Sequence, residues 1–132
     1  MLSRMFVWWN GAFRTPGAFT EENFAKFFTP DATLTIGGRR VITGLAQWAS
    51  HFEGIQSRGG VVEIVVPFKK VFQAGDDIYT YHVIRARRET GVECSLAAGH
   101  ATLRGGKIAS IVLVRRPMDA KDGPLDPQCW TS

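Results

Sequence analysis

The chain has little cysteine, no long apolar run and no block of like charge, and each shortage removes a class of protein. Of 132 residues only two are cysteine, Cys94 and Cys129. They form no CxxC motif and no His/Cys cluster at zinc spacing, so a zinc ribbon or dithiol redox motif is excluded. A chain of this length needs no disulfide framework, and two free thiols suit a reducing compartment, so a cytoplasmic location is expected. No segment approaches the ~20 apolar residues of a membrane span. The apolar stretch from Met5 to Trp9 is too short for a signal-peptide core and is followed by no small-residue cleavage site.

Charge is equally dispersed. The net charge is +4, and the basic pairs Arg39-Arg40, Lys69-Lys70, Arg87-Arg88 and Arg115-Arg116 are scattered without a longer run. A nucleic-acid binder concentrates its charge and shows a recognisable module, and neither is visible. No Gly-rich loop follows a strand and opens a helix, so no nucleotide cofactor is indicated, and no other cofactor is expected.

What the chain does have is rings. Nine Phe and four Trp stand in a composition that is otherwise 45% hydrophobic and 21% charged. Large rings supply much of the buried area of a small domain, and they also line apolar pockets. The length fits one domain with its own core. Residues 1–116 are read as that domain. Residues 117–132, with Pro117, Pro124 and Pro127, are read as an extended or loosely docked tail.

Helical signals come first. Met5, Trp8, Trp9 and Phe13 follow helical spacing, and Arg14-Thr15-Pro16-Gly17 ends the segment. Thr20 is a good N-cap with Glu21 and Glu22 in the first turn; Phe24, Phe27 and Phe28 form a stripe, and Pro30 stops it. Asp31 to Ile36 and Arg39 to Ile42 read as strands around Gly37-Gly38. Leu45, Trp48, Phe52 and Ile55 then give a core-facing stripe on a third helix, closed by Gly59-Gly60.

From Val61 the pattern is β. The runs Val61–Phe72, Ile78–Glu89, Val92–Arg104 and Lys107–Arg116 are separated by turn residues, which predicts a four-stranded antiparallel meander. Helices first and a bent antiparallel sheet afterwards make an α+β domain with a cavity between the two.

Three stretches carry a family resemblance. Phe27-Phe28-Thr29-Pro30-Asp31-Ala32-Thr33-Leu34, the segment Gly44 to Phe52, and Gly105-Gly106-Lys107-Ile108 resemble the second-helix-to-strand passage, third helix and last hairpin of NTF2-like proteins. The resemblance covers residues 4–116 and implies the cone fold of SnoaL-like and ketosteroid-isomerase-like domains. That scaffold hosts isomerases, cyclases, epoxide hydrolases, dehydratases and binding modules, so fold does not hand over function. Where the isomerases carry their carboxylate base, five residues beyond Asp31, this chain has Ile36, which cannot accept a proton.

Candidate site residues follow from register. If Thr90-Gly91 is a two-residue turn, Tyr81 lies opposite His100; if Gly105-Gly106 is likewise a turn, His100 lies opposite Ile111. By the resemblance, His100 falls at or beside the oxyanion-binding acid of the isomerases. His100 and Tyr81 are therefore the candidate catalytic pair, provided they face inward. Candidate ligand contacts are Trp8, Trp9 and Phe13 on the first helix, Ile36, His51 and Phe52 beside it, and Tyr79, Val83 and Arg85 on the long strand. Asp31, Glu63 and Glu93 are read as structural or exposed. His51, His82 and His100 do not share a face, so no metal site is expected.

The expected function is a pocket for a small, apolar or ring-bearing molecule, with cofactor-free isomerase, cyclase or dehydratase chemistry as its catalytic form. A non-catalytic dimeric interaction module is the alternative. Apolar residues on both faces of the last strands predict a homodimer through the outer sheet face.

Overall fold

The structure, a computed structural model, describes residues 1–130. Three helices precede most of the sheet: α1 (Leu2–Ala12), α2 (Glu21–Phe24) and α3 (Leu45–Ser57). The strands are β1 (Phe28–Ile36), β2 (Arg39–Thr43), β3 (Val61–Ile64), β4 (Lys70–Ala74), β5 (Asp77–Arg88), β6 (Gly91–Arg104) and β7 (Lys107–Pro117). They form one sheet in the order β2-β1-β7-β6-β5-β3, with β4 also on β5. All neighbours are antiparallel except β1 and β7, which run parallel. The helices fill the concave side of this sheet, giving an α+β cone.

Local chemistry explains the departures from expectation. Thr20 caps α2 by accepting from Asn23 N at 3.1 Å, but the helix lasts a single turn. Phe28 already belongs to β1, paired with Ile108, so Phe27 and Phe28 are not helical. The run expected from Val61 to Phe72 is two strands. Pro67 interrupts it because proline has no N–H to give a ladder, and β3 and β4 pair with opposite ends of β5. At the top of the β5–β6 hairpin the turn is Glu89-Thr90, with Arg88 paired to Gly91, so every partner differs from the expected register. A bulge between Thr102 and Leu103 then places His100 opposite Val112, not Ile111.

Strand β7 comes unusually close to β6 at Gly99, opposite Leu113. A Cβ on Gly99 would lie 2.0 Å from the Val112 carbonyl oxygen and 2.7 Å from Leu113 Cα. Only glycine permits that backbone approach.

The narrow end of the cone is packed with rings. Phe24 and Phe28 are fully buried, and Trp48 lies 4.6 Å from the Phe28 ring and donates its indole N–H to the Ala32 carbonyl at 3.1 Å. Trp9 meets Phe52 edge-on at 4.2 Å and spends its N–H on the Val62 carbonyl at 3.0 Å. Such edge-to-face contacts add to the area each ring buries.

The cysteines, expected free, are bonded to each other: Cys94 of β6 and Cys129 form a disulfide across 35 residues, with Cα atoms 5.6 Å apart. The tail doubles back over the outside of the sheet and is fastened there. Lys69 pairs with Asp126 at 2.6 Å, and the Arg85 guanidinium donates to the Gln128 carbonyl at 2.8 Å. The Trp130 ring lies 4.7 Å from Arg85 and 4.8 Å from Arg87. Beneath this strap Val65, Val83 and the disulfide form a second small core with Met118 and Leu125.

Candidate functional site

Alternation along β5 decides which side chains can reach a ligand. Ile78, His82, Ile84 and Ala86 are buried on the concave side, whereas Tyr79 and Tyr81 are each 38% exposed on the convex side. A strand has period two, so Val83 and Arg85 go with the tyrosines. Cross-strand pairing carries the same division into β6 and β7. His82 faces Ala97 and Ile84 faces Ser95, while Tyr79 faces His100 and Tyr81 faces Ala98.

Between the helices and the concave face, at the wide end of the cone, lies a cavity of about 130 Å³. Its walls come from Trp9 on α1, Trp48 and Phe52 on α3, Ile36 on β1, Ile84 on β5 and Leu113 on β7. Both tryptophan N–H groups are already bonded to backbone carbonyls, so these rings offer the cavity apolar surface. Among its described lining residues only His51, Arg88 and Arg115 carry ionisable groups, and none is a carboxylate. Arg88 ends β5 and Arg115 lies near the end of β7, so both sit at the wide mouth. His51 meets the Phe52 ring edge-on at 4.7 Å. Its partial burial and, after that, the charges of Arg58 and Arg88 hold its imidazole below the ordinary histidine range.

Of the residues singled out in the sequence, Trp9, Ile36, His51 and Phe52 line this cavity together. Trp8 turns to Phe19, Phe24 and Phe27, and Phe13 packs on Trp9 and Phe19. Tyr79, Tyr81 and His100 lie outside the cone. Tyr79 stacks on Phe72 at 5.0 Å and meets the His100 ring at 5.5 Å. The expected Tyr81–His100 pair is replaced by Tyr79–His100, because the hairpin turns one residue earlier than Thr90-Gly91. Val83 is buried, but under the tail, and Arg85 is held by Glu63 at 2.6 Å. Glu63 thus has a partner, as does Asp31, which accepts from Thr29 and Arg104. Glu93 stands on the sheet surface, 3.7 Å from Arg88.

Sequence reasoning missed Arg88 and Arg115 as mouth residues. The signal was available: Ile84, Ala86 and Arg88 share parity, as do Ile111, Leu113 and Arg115. The inward histidine of β5 is His82, between the rings of Phe6 at 6.5 Å and Phe68 at 5.5 Å. Neither of its nitrogens has a hydrogen-bond partner among the described residues, and desolvation pushes its pKa down to about 4. No group of three or more His, Cys, Asp or Glu among the described residues could hold a metal ion. No helix among them is long and apolar enough to cross a membrane.

No protein-family model matches this sequence, and no curated protein matches it. Solved structures do match. An NTF2-like protein of unknown function from Exiguobacterium is 19% identical, covering 89% of this chain and 98% of its own, with a TM-score of 0.66. An epoxide hydrolase resembling LEH, from M. tuberculosis, is 16% identical over 80% of this chain and 78% of its own, with a TM-score of 0.62. A SnoaL-like polyketide cyclase from Jannaschia is 15% identical over 72% and 71%, with a TM-score of 0.57. At such identities the likeness speaks for the fold alone: the chain has the NTF2-like fold shared by SnoaL-like and ketosteroid-isomerase-like proteins.

Proposed function

We propose that the protein is a small-molecule-binding pocket protein whose ligand inserts an apolar, ring-sized group into the wide end of the cone. The observation that carries this reading is the hollow itself. The narrow end is filled to the last ring, yet about 130 Å³ beside Ile36 and Leu113 is left open. That is close to the ~150 Å³ of an apolar protein cavity that takes up benzene. A void of this kind costs stability unless something occupies it.

The lining favours binding over carbon-acid chemistry. Ile36 replaces a carboxylate base, no other carboxylate reaches the described wall, and His51 is the lining group with a proton to exchange. A catalytic form of the pocket would use His51 as its acid or base, since Tyr81 and His100 lie on the convex face, away from this lining. The domain that does this is residues 1–116, and the described part of the tail, residues 117–130, acts as a strap on its outer face. A cytoplasmic location loses its support from free thiols, since the two cysteines are bonded. For assembly we infer a homodimer, because Phe72 is 64% and Val114 60% exposed on the convex face beside Tyr79 and Tyr81. An interaction module remains the second reading on that same surface.

Calorimetry with the neutral probe 3-phenylpropan-1-ol tests the pocket. Saturable binding is expected, and it should be lost in Ile36→Trp, which fills the cavity, and weakened in Leu113→Phe, a milder filler. No saturation in the folded wild-type protein would leave the interaction module as the function.

A further inference from the structure

The mouth of the cavity has a sign. Arg88, Arg115 and His51 contribute to its lining, and Arg58 lies with Arg88 and Ile55 in a shallow depression alongside. Against these stand Glu93, 3.7 Å from Arg88 Nε and 59% exposed, and Glu89 in the same depression. Arg115 has no ion pair among the described residues. Basic side chains thus outnumber acidic ones at the opening, where Glu93, paired across the strands with Ala86, is the acid that shares a face with Arg88 and Arg115. The interior behind them is apolar, with its indole N–H groups already spent.

Resting on the pocket reading, we propose that the ligand is a compact, ring-bearing monocarboxylate, its ring among Trp9, Phe52 and Leu113 and its carboxylate at the mouth between Arg88 and Arg115. A cavity of about 130 Å³ admits one ring and little more, so the head group cannot be carried inside. It must stop at the rim, where the guanidinium groups are. A planar guanidinium fork matches a carboxylate in two parallel hydrogen bonds, which a lysine does not do. A neutral polar head gains less there, and an ammonium head is repelled. His51 lies on the same rim and, as a neutral imidazole, can add a third hydrogen bond.

Three probes of one shape and different charge separate the possibilities: 3-phenylpropanoate, 3-phenylpropan-1-ol and 3-phenylpropylamine. Both arginines are solvated, so each contributes only as a partly exposed ion pair does, roughly a threefold gain in affinity apiece. The acid should therefore bind about tenfold more tightly than the alcohol at low salt, and the amine weakest of the three. Raising the salt to 1 M should compress that order. In the double variant Arg88→Gln/Arg115→Gln the acid-to-alcohol ratio should fall to about one, and in Arg115→Glu the amine should overtake the acid. Equal binding of all three probes to the wild-type protein would overturn the carboxylate assignment while leaving the pocket intact. Binding of none would overturn the pocket reading itself. A preference for the acid that survives in the double variant would place the anion elsewhere.

Discussion

The two faces of one sheet have been built to different rules. On the concave side nearly every inward position of β5, β6 and β7 meets a ring or an aliphatic chain, and the rings interlock down to Phe24 and Phe28 at the narrow end. On the convex side the same strands show Tyr79, Tyr81, His100 and Val114, which touch one another or solvent, until the C-terminal strap covers Val83 and Cys94. Both faces are apolar, but only one is a core. The concave face closes around a cavity whose rim is basic; the convex face is half strapped and half open. Chemical composition alone therefore does not tell an interior from an interface, and the difference lies in what covers each face.

Two ring-to-alanine changes test that contrast most severely. Trp48→Ala should destabilise the fold toward or beyond the upper end of the ~3–5 kcal/mol typical of a buried large ring. Trp48 is only 2% exposed, and its loss also removes one of the two hydrogen bonds to the Ala32 carbonyl, which keeps the one from Gly44 N–H. Phe72→Ala, on the other face and 64% exposed, should leave monomer stability within about 0.5 kcal/mol of wild type. With the homodimer proposed above, its effect should appear in sedimentation, as a shift from dimer toward monomer. Denaturant melts of the two variants giving similar losses would erase the distinction between core and interface.

The sequence shows the same ambiguity. Trp48, Phe52 and Ile55 announced their burial because a helix spreads its apolar residues around a 3.6-residue period and only one stripe is apolar. The α+β arrangement followed from such stripes and from the order of elements, whereas the NTF2-like fold came from the resemblance of Phe27 to Leu34, Gly44 to Phe52 and Gly105 to Ile108. On β5, by contrast, Ile78, Ile84 and Ala86 occupy one parity and Tyr79, Tyr81 and Val83 the other, and period two cannot rank two apolar sets. His100 and Tyr81 are candidates only on the condition that they face inward, and nothing local says which set the helices cover. The Cys94–Cys129 bond was illegible for another reason. It depends on a tail folding back across 35 residues, which no periodicity encodes. Pro67 was legible and was passed over, as were Arg88 and Arg115 at the ends of inward parities.

Breaking the strap should separate the two faces further. Closing a loop of 35 residues restricts the unfolded chain by about 4 kcal/mol on the chain-entropy account, and measured losses range from ~2 to ~5. Cys129→Ser should lower the unfolding midpoint by an amount in that range. It should also loosen Trp130 from Arg85 and Arg87, moving its fluorescence toward that of a solvated indole. Binding of 3-phenylpropan-1-ol should survive wherever the variant is folded, because the strap lies on the opposite side of the sheet from the cavity. If binding and tail are lost together in folded protein, the faces are coupled, and the sheet is not the partition it looks like.

A smaller effect concerns His82, the one histidine buried under α1. Its pKa is pushed to about 4 by burial alone, with the Phe6 and Phe68 rings beside it. In the unfolded chain it returns to about 6.5. Above that pH both states are neutral and His82 adds no pH dependence. As the pH falls from about 6.5 to 4, the unfolded state takes a proton that the folded state refuses. Stability then falls by up to about 1.4 kcal/mol per unit, roughly 3 kcal/mol in all, and the effect levels off below pH 4. His51 is lowered too and adds in the same direction, whereas Asp31 and Asp126 are lowered carboxylates whose contributions disappear only at more acid pH. Urea melts at pH 7, 6 and 5 should therefore show the wild-type protein losing stability while His82→Leu loses much less, its remaining slope belonging to His51. Parallel curves for the two proteins would mean that His82 does not carry this burial cost, and that the concave face admits water where the structure packs rings.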